Sequence, residues 1–314
     1  MGPRERAEEI GLGNGAGRTG QRGAFEARGG GVDGWLPPSG GSQRGRIEFV
    51  AMRRTAALVV ALLFMPTLAF AANGPLIVVG GGGTGPEIVA KALELAGGTN
   101  AIVAVLPQSS AEPDAGDSSV QMWLEAGAKA AAKVAFTDAD AAAALRRATL
   151  IWMPGGDQNR FMTAIAGTGL DDVIRERHRA GVAVGGTSAG AAVIAEAMFT
   201  GDADLKSLTA GATVTAKGLG LWPEALIDQH FLKRQRDNRL ISAVLDHPAL
   251  VGVGIDEATA VIVKDGAFDV IGKSSVVVID ARAAHVEKAA PGALVSGRDI
   301  KVSILRSGQH YSFK

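Results

Sequence analysis

Between Leu76 and Gly186 the chain repeats one pattern, a short and nearly unbroken apolar run followed by a segment with helical spacing. The runs are LIVVG (76–80), AIVAVL (101–106), KVAF (133–136), TLIWM (149–153) and VAVGG (182–186). Strands that are apolar on both sides must be covered on both faces, and helices between successive strands provide that cover while letting the strands run parallel. Helical spacing runs through Glu87–Ala96, through DADAAAALRRA (138–148, with an aspartate cap) and through the stretch ending at His178. The expected fold is α/β, three layers α/β/α around a mostly parallel central sheet. After Leu226 the pattern changes. IDQHF reads as a short strand or loop, RDNRLISAVLDH as a helix, and LVGVGID, TAVIVK and SSVVVID as strands with short turns, expected to add antiparallel edges to the sheet. No linker or repeat appears, and residues 72–314 are read as one domain of about 240 residues.

The first fifty residues do not share this pattern. Residues 1–51 are rich in Gly and Arg, lack an apolar period, and are expected to be disordered or a mis-assigned leader. Met52, Arg53 and Arg54 then precede TAALVVALLFMPTLAF and the small-residue pattern Ala69-Phe70-Ala71. That order is the charged region, apolar core and cleavage site of a secretory signal peptide, 52–71, with cleavage near Ala71 and Met52 as the start. A membrane anchor or a helix buried in the core is the competing reading, but the run is short of the roughly 20 residues a span requires, contains Pro66 and ends at the A-x-A site. A secreted or periplasmic protein is expected, with no stable membrane association after cleavage.

Composition removes several classes of function. Lys plus Arg and Asp plus Glu both number 32, so no charge excess points to nucleic acid. The chain has no cysteine, which excludes disulfides, thiolate metal sites and a cysteine nucleophile. Gly80, Gly82 and Gly85 match G-x-G-x-x-G after the first strand, but the second strand ends without the acidic residue that would hold a ribose. No cofactor and no metal are expected.

Chemistry concentrates after the fourth and fifth strands, where ligands of such sheets bind. Gly186-Thr187-Ser188-Ala189-Gly190 joins a strand to AAVIAEAMF, read as a helix. Flanking glycines permit a sharp turn that projects the Ser188 hydroxyl, and the Ala189 N–H can face the oxygen of a tetrahedral intermediate. A serine nucleophile needs a base. His178 sits in an Arg-rich helix and reads as solvated, His247 as a helix cap, and His285 and His310 lie in polar surroundings. His230, between apolar neighbours at a strand end, is the strongest candidate by elimination; a core histidine bonded to backbone is the alternative. In Pro154-Gly155-Gly156-Asp157-Gln158, Gly156 can supply a second oxyanion donor, Gln158 can bond a substrate amide, and Asp157 can cap a helix. Lys233, Arg234, Arg236 and Arg239 cannot share one helical face, so part of the cluster is read as solvated surface and part as a carboxylate grip.

Four ordered segments, PGGDQ (154–158), GGTSAGAAV (185–193), DQHFLKRQRDNRL (228–240) and GIDEATAVIV (254–263), resemble the cyanophycinase family of serine peptidases, related to dipeptidase E. The resemblance covers most of the chain from Leu76 and is looser before Thr149, notably around PQSSAEPDAGDSS. It implies a class I glutamine amidotransferase-like fold with serine in place of the usual cysteine. It also implies a Ser188–His230–Glu257 triad, with Asp202 or Asp204 as fallback acid. Substrate contacts fall on Gln158, Asp228, Gln229, Arg234, Arg236 and Arg239. The implied reaction is hydrolysis of cyanophycin, an aspartate backbone with arginine on each β-carboxyl, to β-Asp-Arg dipeptides through an acyl-enzyme. A homodimer is compatible with the resemblance. The alternatives are a dipeptidase acting on aspartyl or isoaspartyl peptides and a non-catalytic peptide-binding protein on the same fold.

Overall fold

The computed structural model describes residues 72–203 and 208–314. The readings at 1–51 and 52–71 lie outside the described residues, as do Asp204 and the side chain of Asp202. Among the described residues no helix is long and apolar enough to cross a membrane.

The repeating apolar runs form the parallel half of an eight-stranded sheet. These strands are β1 (Leu76–Val79), β2 (Ile102–Val105), β3 (Ala130–Lys133), β4 (Leu150–Met153) and β5 (Ala183–Thr187). β1 pairs parallel with β5, β5 with β4, β4 with β2 and β2 with β3. On the other side of β1 the sheet continues antiparallel through β10 (Thr259–Lys264), β11 (Ala267–Gly272) and β16 (His310–Ser312). TAVIVK thus extends the sheet antiparallel, as expected. Ala130–Lys133 replaces KVAF as the third strand, because Ala130 to Lys133 lie in register with Ile102 to Val105.

LVGVGID and SSVVVID depart from expectation. They form β9 (Val251–Ile255) and β12 (Ser275–Asp280) of a separate four-stranded sheet, with β8 (Ala225–Gln229) and β15 (Lys301–Arg306) at its edges. Strands β8, β9 and β12 are packed on both faces, whereas the edge strand β15 is largely exposed. Val251, Val253, Ile255, Val276 and Val278 join Leu76 and Val78 of β1 in one core, while Val277 and Ile279 join the helix α7 (Asp237–Asp246) in another.

Helices complete the layers. On one face of the central sheet lie α1 (Pro86–Leu95) and α2 (Asp117–Glu125), sealed by Ile88, Ala92 and Trp123 against Ile77, Val79, Val105 and Trp152. On the other lie α3 (Ala141–Arg147), α4 (Gln158–Ile165), α5 (Leu170–Arg179) and α6 (Ala189–Ala192), beside the small sheet. Each fully buried Ile, Leu or Phe contributes roughly 1.5–3 kcal/mol by leaving water. His178 belongs to this interior. It is 4% exposed and bonds the Gly74 carbonyl at 2.8 Å, so the solvated face expected from its Arg-rich neighbours is corrected. Arg179 is exposed, Arg175 and Arg177 are half-buried and donate to the Leu219 and Ala148 carbonyls, and His178 occupies the apolar stripe with Val173 and Ile174.

Candidate active site

β5 delivers the chain to Ser188, and the turn into α6 is tight. Ser188 has φ 54° and ψ −117°, a conformation that costs a non-glycine residue about 1–3 kcal/mol. Its N–H donates to the Val79 carbonyl at 3.0 Å, anchoring the turn to β1. A Cβ at Gly190 would stand 1.9 Å from the Met153 carbonyl, so the end of β4 backs directly onto the turn. The following helix is shorter than AAVIAEAMF implies. It ends at Ala192, and Ala197–Phe199 instead open strand β6 (Ala197–Ala203). The carbonyls of Val193, Ile194, Ala195 and Glu196, which a helix would use internally, accept N–H groups of the loop 218–222.

His230 lies one residue past β8 and Glu257 two residues past β9. The neighbouring, parallel ends of these two strands bring the side chains together. The Ser188 hydroxyl stands 2.8 Å from His230 Nε2, and His230 Nδ1 stands 2.7 Å from Glu257 Oε1. The His230 side chain is 10% exposed and that of Glu257 32%. Burial holds the His230 imidazole below its ordinary 6.5; the Glu257 hydrogen bond opposes this, and the charges of Arg234 and Arg236 add to it. A neutral imidazole donating Nδ1–H to a carboxylate leaves Nε2 free to accept a proton from serine.

The glycines after β1 complete this arrangement, a role the sequence reading did not assign them. The His230 N–H donates to the Gly80 carbonyl at 2.7 Å and the Ala258 N–H to that of Gly81 at 2.8 Å. A Cβ at Gly81 would lie 2.3 Å from His230 Cε1, and one at Gly82 2.5 Å from the Glu257 Cβ. The backbone of this loop is the floor on which the imidazole and the carboxylate rest.

Gly155 and Gly156 follow β4 beside the nucleophile: a Cβ on Gly155 would lie 3.4 Å from that of Ser188. Among the described residues the N–H groups of Gly156 and Ala189 make no hydrogen bond. Asp157 caps α4, accepting from the N–H groups of Asn159 and Arg160 at 2.7 and 3.2 Å. Gln158 is 7% exposed and gives its amide N–H to the Phe199 carbonyl at 3.0 Å.

The basic cluster divides in two. Lys233 and Arg234 are exposed. Arg236 and Arg239 turn inward onto Asp228, which is 0% exposed. Arg239 holds both Asp228 oxygens, with Nε at 2.9 Å from Oδ2, and its guanidinium lies 4.9 Å from the Phe199 ring centroid. Arg236 donates to the Gln229 carbonyl at 2.6 Å and to the Gln229 side-chain oxygen. Burial raises the Asp228 carboxyl against the pull of both arginines and pushes Arg236 down to about 10. Asp228, Gln229, Arg236 and Arg239 thus satisfy one another next to His230, and Arg234 is left as the exposed cation of the predicted substrate set.

A serine, an imidazole and a carboxylate bonded in series, at strand ends of a covered α/β sheet, are the parts of a serine hydrolase. The chain belongs to peptidase family S51, whose profile matches residues 76–271, and it is a serine peptidase. The cyanophycinase of Geminocystis herdmanii is 38% identical over 255 residues, 76% of this chain and 93% of that protein. The cyanophycinase of Trichormus variabilis is 36% identical over 220 residues, 65% of this chain and 73% of that one. Among solved structures, a peptidase from an acI-B1 Actinobacterium shares the fold with a TM-score of 0.58 at 20% identity, covering 78% of this chain and 98% of that one.

Proposed function

We propose that the protein hydrolyses cyanophycin to β-Asp-Arg dipeptides through an acyl-enzyme on Ser188. The observation that carries this is the continuous hydrogen-bonded series from Ser188 through His230 to Glu257, in a chain 38% identical to a cyanophycinase. His230 Nε2 takes the hydroxyl proton as Ser188 Oγ bonds to the scissile carbonyl carbon. Glu257 holds the imidazolium, and the N–H groups of Gly156 and Ala189 receive the carbonyl oxygen as it becomes negative. His230 then returns the proton to the leaving amine. Water, activated by the same imidazole, releases the acyl group. Arg234 is the candidate partner for a substrate carboxylate. Arg236 and Arg239 serve the site through Asp228 and Gln229, and Gln158 through the β6 backbone.

The basic-then-apolar segment at 52–71, with its A-x-A end, supports export and hence action on polymer outside the cytoplasm. N-terminal sequencing of protein recovered outside the cytoplasm should then begin at Ala72.

The decisive experiment incubates the purified full chain, and its Ser188→Ala variant, with insoluble cyanophycin and measures soluble β-Asp-Arg. Release by the parent protein alone is expected. Release by both excludes Ser188 as nucleophile. Release by neither removes the polymer as substrate and makes small isoaspartyl peptides the next to assay.

A further inference from the structure

We propose that Ser109 is a positioning residue for the oxyanion hole: it orients the Gly155–Gly156 peptide so that the N–H groups of this loop face the reacting oxygen. The inference rests on the acyl-transfer reading of Ser188 and adds a residue outside the four segments that reading draws on.

Ser109 follows β2, in the stretch where the family resemblance is loosest, and is 2% exposed. Its hydroxyl approaches two carbonyl oxygens of the loop after β4, that of Gly155 at 2.7 Å and that of Pro154 at 3.1 Å. A hydroxyl has one proton to give, so the shorter contact is the principal bond. The Ser109 carbonyl takes the Asp157 N–H at 2.8 Å, so one residue grips the loop at both ends. The grip is close: Gly156 has φ 143°, and a Cβ there would lie 2.3 Å from the Ser109 carbonyl oxygen.

The orientation of the donors follows from the planar trans peptide, in which C=O and N–H point in opposite directions. Drawing the Pro154 and Gly155 carbonyls toward Ser109 turns the N–H groups of Gly155 and Gly156 away from it. Gly155 has Ser188 on another side, with its Cβ position 3.9 Å from the Ser188 hydroxyl oxygen. Neither N–H makes a hydrogen bond among the described residues. Unpartnered backbone donors beside a nucleophile are what a developing oxyanion requires, and elsewhere they are a cost that folds avoid. A Gly-Gly peptide has little steric restraint of its own, and among the described residues the Ser109 hydroxyl is the one hydrogen-bond donor to the Gly155 carbonyl.

The test uses a fluorophosphonate probe, which needs no knowledge of the natural substrate. Ser188 Oγ bonds to phosphorus, fluoride leaves, the hydroxyl proton passes to His230, and the phosphoryl oxygen occupies the oxyanion position. For Ser109→Ala in the full chain, the maximal labelling rate should fall about 10- to 100-fold, less than loss of a whole donor. The probe concentration at half-saturation and the pH profile should stay unchanged. Ser109→Cys, close in size but a weak donor, should fall in the same direction and covers the case in which the alanine variant does not fold. A full labelling rate in either folded variant overturns the proposal, as does a loss that appears only in half-saturation. Ser188→Ala separates the two claims. If it still labels at the active site, the acyl-transfer reading fails; if it does not label while Ser109→Ala labels fully, only the role of Ser109 fails.

Discussion

As the proposed base, His230 must be buried enough to be oriented and neutral enough to accept a proton, and its surroundings suit both demands. Burial lowers its proton affinity, Arg234 and Arg236 lower it further, and Glu257 raises it. Because catalysis needs the neutral form, activity should persist as pH falls through 6.5 and fade only below it, read as the acid limb of kcat/KM. Glu257→Gln removes the carboxylate that favours protonated His230, so that limb should move to still lower pH. The rate at neutral pH should fall on the order of 10³- to 10⁴-fold, because the imidazole loses its tautomeric and orientational partner. Arg234→Ala tests the opposite sign. Removing a cation lets His230 bind protons more readily, so the acid limb should move to higher pH, and KM should rise if Arg234 holds a substrate carboxylate. An unmoved limb would detach Arg234 from the imidazole.

At the scale of the element, the loop after β1 decides whether the other loops can meet. Gly81 and Gly83 make a controlled pair. Both have left-handed φ, 98° and 97°, but a Cβ at Gly81 collides with the His230 ring while one at Gly83 meets nothing within 4 Å. Both alanine variants should lose about 1–2 kcal/mol of stability through the backbone. Gly81→Ala alone should also lose about 100-fold or more in kcat by displacing the imidazole, with far-UV circular dichroism unchanged. The same loop marks where sequence reading stops. Its glycines, tested there as a dinucleotide fingerprint, answer to His230 and Glu257, far along the chain and unreadable from local spacing. The strands β1, β4 and β5 were legible because apolar runs declare burial on both faces. That LVGVGID and SSVVVID leave the central sheet was not, since pairing partners are chosen by packing rather than composition. Ser188 was legible because its turn is local. The basic cluster was legible as charge, but the inward turn of Arg236 and Arg239 depends on Asp228 being buried at the strand end.

Across the whole molecule, two sheets contribute to one site. Ser188, Gly155 and the Gly80–Gly82 loop extend from carboxyl ends of β5, β4 and β1, while His230 and Glu257 extend from those of β8 and β9. The two sets meet because the small sheet shares an apolar core with the central one, so the Ser188–His230 and His230–Glu257 distances depend on that packing. The opposite end of β1 carries a different device. Tyr311 and Phe313, at and beyond β16, pack with Phe268 and Trp222, the Phe313 ring lying 5.5 Å from Trp222 and 5.9 Å from Phe268. Phe313 also takes a hydrogen bond from Arg282 on its carbonyl at 2.7 Å. Tyr311, Phe313 and Arg282 lie beyond the family match, which ends at residue 271, whereas Trp222 and Phe268 lie within it. Full burial of a phenylalanine is worth about 3–5 kcal/mol against alanine; Phe313 is partly exposed, so Phe313→Ala should cost about 2 kcal/mol. For a chain of this size that lowers Tm by roughly 4–8 °C. Since β1 is rigidly paired on both edges, the loss should stay at its own end, leaving kcat and KM at the parent values below the transition. A fall in kcat at temperatures where the variant is fully folded would mean that the packing of the two sheets, and with it the Ser188–His230 distance, is set from the far end of the molecule as well.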